Sequence, residues 1–104
     1  MSMDISLIEV ILPIYHKSPK KRHDLLCDDL ANIAELKGIS VETISLCVKE
    51  IETVISNSVG IARDEMHGAI DKVEAIEKIR KIYPTQNLES LDIFFERAHY
   101  YACR

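Results

Sequence analysis

Three pairs of side chains in this sequence have a spacing that could support chemistry. His23 and Cys27 stand one helical turn apart, within reach of the thiol–imidazole contact that activates a cysteine nucleophile. Asp64 with His67, and Glu96 with His99, repeat the i, i+3 carboxylate–histidine spacing with which helical bundles aim two ligands at a di-iron centre. Neither idea is completed elsewhere in the chain. A bundle metal centre needs further inward-pointing Glu side chains, whereas Glu96 falls on the rim of its helix, beside a stripe of Leu91, Phe95 and Ala98. The thiol–imidazole pair has no third orienting group and no oxyanion feature in view. The sequence also contains no glycine-rich phosphate loop, no G-x-S-x-G and no H-E-x-x-H. The expectation is therefore no enzyme, no metal and no cofactor.

Surfaces carry more than sites do. Seventeen acidic against thirteen basic residues give a net charge of −4. That balance disfavours phosphate-backbone binding as the main task and suits a basic partner. The last segment, "LESLDIFFERAHYYACR", places Glu89, Asp92 and Glu96 on one flank, with Ile93 and Tyr100 adjoining on the outer side. Asp92 and Glu96 are like charges at i, i+4, mildly unfavourable in an isolated helix. The preceding segment instead offers matched pairs, Glu74–Lys78 and Glu77–Lys81. An acidic patch beside exposed Tyr and Ile is the composition of a protein-binding surface, so Glu89, Asp92, Ile93, Glu96 and Tyr100 are its candidate residues.

These faces need helices to carry them. Three Gly, three Pro and no Trp leave few breakpoints in 104 residues, and 47% of the chain is apolar, which predicts an all-α fold. The expected architecture is a compact bundle of about five helices forming a single domain over residues 1–104. The first helix runs from Asp4 to Leu12 and stops or bends at Pro13. The second is capped by Ser18 with Pro19 in first position, carries Leu26, Leu30, Ile33 and Leu36, and ends at Gly38. Ser40 caps the third, whose stripe is Val41, Ile44, Val48, Ile51 and Ile55, closed by "NSVG" at 57–60. The fourth, about 61–83, packs Met66, Ala69, Val73, Ile76 and Tyr83 on one side, with Gly68 a point at which it could split. After the "YPTQN" turn, the fifth helix buries Leu88, Leu91, Phe95, Ala98 and Ala102, with Phe94 and Tyr101 on a flank.

The stretch "NIAELKGISVETIS", residues 32–45, resembles the helix-turn-helix of bacterial repressors such as the lactose-repressor family. Ala34 is small at the helix crossing, Gly38 stands at the turn, and Ile39 and Ile44 fill the space between helices. That resemblance implies a DNA-reading face at Glu42, Ser45, Leu46 and Lys49, with phosphate contacts from Lys20, Lys21 and Arg22. The composition of the face argues against it: carboxylates repel a phosphate groove, and Asp24, Asp28 and Asp29 follow the basic run at once.

As a small, acidic, all-helical chain with acids and a tyrosine on one surface, the sequence resembles the immunity proteins of bacterial toxin–immunity pairs, of the bacteriocin or contact-dependent growth-inhibition type. Glu89, Asp92, Glu96 and Tyr100 carry that resemblance. It implies a protein that binds a basic toxin domain, a nuclease, and masks its active site. The first reading is thus an inhibitor with a basic protein partner. The second is a transcriptional regulator, and only there does nucleic acid become a partner. Three cysteines without a C-x-x-C pair predict free thiols in a reducing cytoplasm. The N-terminal "MSMDISLIEVILPIY" carries Asp4 and Glu9 and lacks a basic leader, so neither signal peptide nor membrane span is expected.

Overall fold

The computed structural model describes residues 5–17, 30–32, 36 and 38–103, and every extended regular element among them is an α-helix. There are four: α1, Ile5–Lys17; α2, Val41–Met66; α3, Lys72–Ile82; and α4, Leu88–Ala102. The chain divides into two compact units, Met1–Ile51 and Glu52–Arg104. The second of the five expected helices falls mostly outside the described residues, as do Ser18, Pro19, Leu26 and Ile33. Of that segment, Leu30 and Ala31 are helical, and Leu30 and Leu36 are buried.

In the first unit α1 buries Ile8, Ile11, Leu12 and Tyr15, an i, i+3, i+4, i+7 stripe. The helix continues through Pro13 to Lys17 instead of stopping there. An interior proline removes one ladder donor, at a cost of roughly 3 kcal/mol. Burial of Tyr15 beyond it returns an amount of the same order, about 1.5–3 kcal/mol for a large side chain. Packing overrides the local stop signal. At residues 36–44 the turn forms as expected: Gly38 takes φ 88°, a left-handed value that glycine adopts without a steric penalty. The Ile39 amide donates to the Leu36 carbonyl at 3.1 Å. Ser40 then caps α2, its Oγ accepting from the Thr43 amide at 3.1 Å.

Helix α2 passes through "NSVG" without a break. Its buried stripe is Ile44, Cys47, Val48 and Ile51, continuing as Val54, Ile55, Ser58 and Ala62; Val41 is exposed. Ser58 sits in that stripe because its hydroxyl donates to the Val54 carbonyl at 2.7 Å, leaving no polar group unsatisfied. Gly60 costs about 1 kcal/mol relative to Ala in a helix, too little to interrupt a stripe buried on both sides of it. The stop comes at Gly68, with φ 77°. The Ala69 amide donates to the Asp64 carbonyl at 2.9 Å and the Gly68 amide to the Glu65 carbonyl at 3.0 Å, the paired bonds of a Schellman motif.

That stop resets the helical phase. The side expected to unite Met66, Ala69, Val73, Ile76 and Tyr83 does not exist: Met66 and Ala69 are exposed and Val73 is 74% exposed. Asp71 starts α3 by accepting from the Glu74 amide at 2.8 Å, and the buried stripe becomes Ala75, Ile79 and Tyr83. Pro84 follows and prevents continuation. Asn87 caps α4, accepting from the Ser90 amide at 3.2 Å. Helices α3 and α4 pack together, with the Tyr83 and Phe94 rings edge to face at 4.9 Å. Leu91, Phe95 and Ala98 are buried as expected, but so are Phe94 and Ile93, while Leu88 is 60% exposed and Ala102 only half-buried. The buried arc of α4 is thus wider than one stripe.

Candidate functional site

Two groups of side chains on α4 come into consideration. The first is the acidic flank. Glu89, Asp92, Glu96 and Tyr100 fall at i, i+3, i+7 and i+11, one row along the helix, and all four are exposed, Tyr100 at 42%. Ile93 does not join them; at 7% exposure it belongs to the core. The helix buries more than the half that a single stripe requires, which removes Ile93 from any contact surface. The flank is also less purely acidic than the helix alone suggests. Lys72, at the start of α3, places its Nζ 3.8 Å from Asp92 Oδ1 and 5.7 Å from the centre of the Phe95 ring. Both partners are well exposed, so the pair is solvent-screened and weak. Glu89 lies in the first turn, where the helix dipole favours a carboxylate. At the other end Tyr100 meets Tyr101 edge to face at 5.4 Å, and the Arg97 guanidinium lies 5.9 Å from the Tyr101 ring centre. On α3 the pair that forms is Glu77 with Arg80, one turn apart, in place of the expected Glu77–Lys81.

The second group joins the C-terminal end of α2 to that of α4. His99 meets Glu65, whose Oε1 lies 3.4 Å from its Nε2. On the other side of the imidazole, Nδ1 stands 3.8 Å from Cys103 Sγ. The same sulfur lies 3.8 Å from Met66 Sδ. Phe95 packs against the same imidazole in a tilted contact, with 5.6 Å between centroids. The order Glu65–His99–Cys103 has the connectivity of orienter, base and nucleophile. The added Met66 thioether, which can neither orient nor move a proton, points instead toward soft-ligand chemistry. No three His, Cys, Asp or Glu side chains converge on one point among the described residues; the further donor here is the thioether beside the Cys103 sulfur.

The remaining candidates stand apart. Asp64 and His67 are both exposed where α2 ends. His23 and Cys27 lie outside the described residues, as do Lys20, Lys21 and Arg22. On α2 itself Glu42, Leu46 and Lys49 are exposed and Ser45 is half-buried. No helix of the described residues is long and apolar enough to cross a membrane.

Sequence reasoning missed the Glu65–Met66–His99–Cys103 group. Half of it was legible, since His99 and Cys103 repeat the i, i+4 spacing of His23 and Cys27. The other half was not, because Glu65 and Met66 arrive only after the Gly68 stop folds the chain back. Compared with protein-family models, with curated protein sequences and with solved structures, the chain has no match.

Proposed function

We propose that this chain is a non-catalytic binding protein that engages a basic protein partner through the exposed row Glu89, Asp92, Glu96 and Tyr100 of α4. Within that class the reading is an immunity-type inhibitor that covers the active site of a toxin domain, a nuclease by preference, because carboxylates in a row stand in for nucleic-acid phosphates. One observation carries it: three carboxylates and a tyrosine share one exposed row on a helix whose opposite side is firmly buried. Such an exposed row on a rigid helix favours fast and selective association with a basic surface. The tyrosine adds apolar contact area at low entropic cost.

A second reading keeps the helix-turn-helix. It is favoured by the left-handed Gly38 and the Ser40 cap, which build the turn that such units require. Its weakness is the face, where Glu42 and Leu46 accompany a single Lys49.

One experiment separates them: affinity capture from native lysate at low and moderate salt, with and without nuclease treatment, using the parent chain and a Glu89→Lys/Glu96→Lys variant. A basic protein held by the parent after nuclease treatment, and lost with the variant, is the expected result. Retention of that protein by the variant rejects this face. Capture of DNA alone, with the slope of affinity against salt that phosphate contacts produce, selects the second reading.

A further inference from the structure

We propose that Met66, His99 and Cys103 form a binding site for a soft monovalent metal ion, of which copper(I) is the biological representative. The proposal goes beyond the partner-binding reading and is independent of it. Thiolate and thioether sulfur select copper(I) over harder ions, and imidazole is an accepted third donor. The two separations that involve the Cys103 sulfur leave room for an ion between it and each of its neighbours. With metal–sulfur bonds of about 2.3 Å and a metal–nitrogen bond of about 2.0 Å, the two 3.8 Å separations subtend about 111° and about 124° at the metal. Both angles suit the three-coordinate geometry that a closed-shell monovalent ion accepts.

A second observation supports the same conclusion. Metal-bound histidines characteristically have their other ring nitrogen fixed by a carboxylate or carbonyl. The Glu65 carboxylate, 3.4 Å from Nε2, favours the tautomer that carries its proton there and leaves the Nδ1 lone pair on the side of Cys103, whose sulfur in turn meets Met66. Phe95 packs against the ring, 5.6 Å between centroids. Zinc is a poorer match, because it prefers four ligands from thiolate, imidazole and carboxylate, and Glu65 lies on the far side of the imidazole from the sulfurs. Cys103 and Met66 are exposed, the latter at 40%, so an ion can enter from solution. Binding replaces the thiol proton by the metal, releasing one proton per ion to solvent with no change in oxidation state.

The test is an anaerobic titration of the reduced full chain with copper(I) against a coloured copper(I) chelator, in a Cys27→Ser background so that this other thiol does not compete. One equivalent bound is expected. Cys103→Ser should weaken binding by about 100-fold, and Met66→Leu, His99→Gln and Glu65→Gln by about 10-fold each. These positions are exposed or half-exposed, and a circular-dichroism melt of each variant checks that the helices remain. X-ray absorption of the loaded parent chain provides a reading that needs no variant: two sulfur neighbours and one nitrogen. Unchanged affinity in both Met66→Leu and His99→Gln overturns the proposal in favour of a thiol acting alone. A sulfur-only shell, or displacement of copper by equimolar zinc, overturns it as well.

Discussion

The aromatic ring of Tyr83, the residue that ends α3, meets the ring of Phe94 in the middle of α4 edge to face, 4.9 Å between centroids and 60° between planes. Both side chains are fully buried, and the contact fixes how the two helices of this hairpin pack. Phe94→Ala removes that ring from the core of the second unit, so a loss of about 3–5 kcal/mol is expected, and Phe94→Leu should cost distinctly less. Urea titration followed by circular dichroism checks this. The expected signature is a lower midpoint with an unchanged slope, since a changed slope would report an altered folded or unfolded state.

Two glycines should respond to the same substitution with opposite signs. A Cβ added at either Gly60 or Gly68 meets nothing within 4 Å, so sterics with neighbours play no part. Gly60 has ordinary helical backbone within α2, and Gly60→Ala should stabilise by about 0.5–1 kcal/mol through helix propensity. Gly68 holds φ 77° at the Schellman stop, and Gly68→Ala should destabilise by about 1–2 kcal/mol. Thermal melts of the two variants, run beside the parent, should move in opposite directions.

Where the sequence was legible, a single local rule acted alone. Gly38 and Ser40 marked turn and cap because each supplies a backbone conformation or an acceptor that the chain lacks otherwise. It was illegible where packing outweighed a local signal, as at Pro13 and Gly60, or where a stop left open as a possible split reset the phase of everything after it, as from Gly68 to Val73. The acidic flank was readable because spacing alone sets it. Ile93 was misassigned, because the width of a buried arc depends on what lies beside the helix and not on the helix itself.

Pro13→Ala tests the first of those conflicts. Alanine restores a ladder donor and relieves the clash, worth up to about 3 kcal/mol, while the unfolded chain gains freedom worth about 0.4–1 kcal/mol. Some contact from the half-buried ring is also lost. A net gain of about 1–2 kcal/mol is expected, read as a higher urea midpoint. A lower midpoint would mean that the ring's packing matters more than the helix around it.

The acidic row calls for a comparison between two of its own members. Asp92 lies beside Lys72, so Asp92→Lys both removes a partner charge and sets two cations side by side near the start of α3. Glu96→Lys reverses charge one turn further along α4, next to exposed Tyr100. If the row docks a basic partner, both variants should lower the association rate, by about tenfold or more at low ionic strength. That loss should shrink as salt shortens the Debye length from about 30 Å at 0.01 M to about 8 Å at 0.15 M. Asp92→Lys should in addition lower the melting temperature slightly, whereas Glu96→Lys should relieve the like-charge pair with Asp92 and leave stability unchanged or raised. Surface plasmon resonance against the captured partner, paired with melts of the same preparations, reads both effects. An association rate indifferent to Glu96→Lys at low salt would exclude this end of the row from the interface, even if Asp92→Lys were disruptive. A loss with Asp92→Lys would then confine recognition to the Glu89–Asp92 end, unless the melt showed that the Lys72 contact had taken the fold with it.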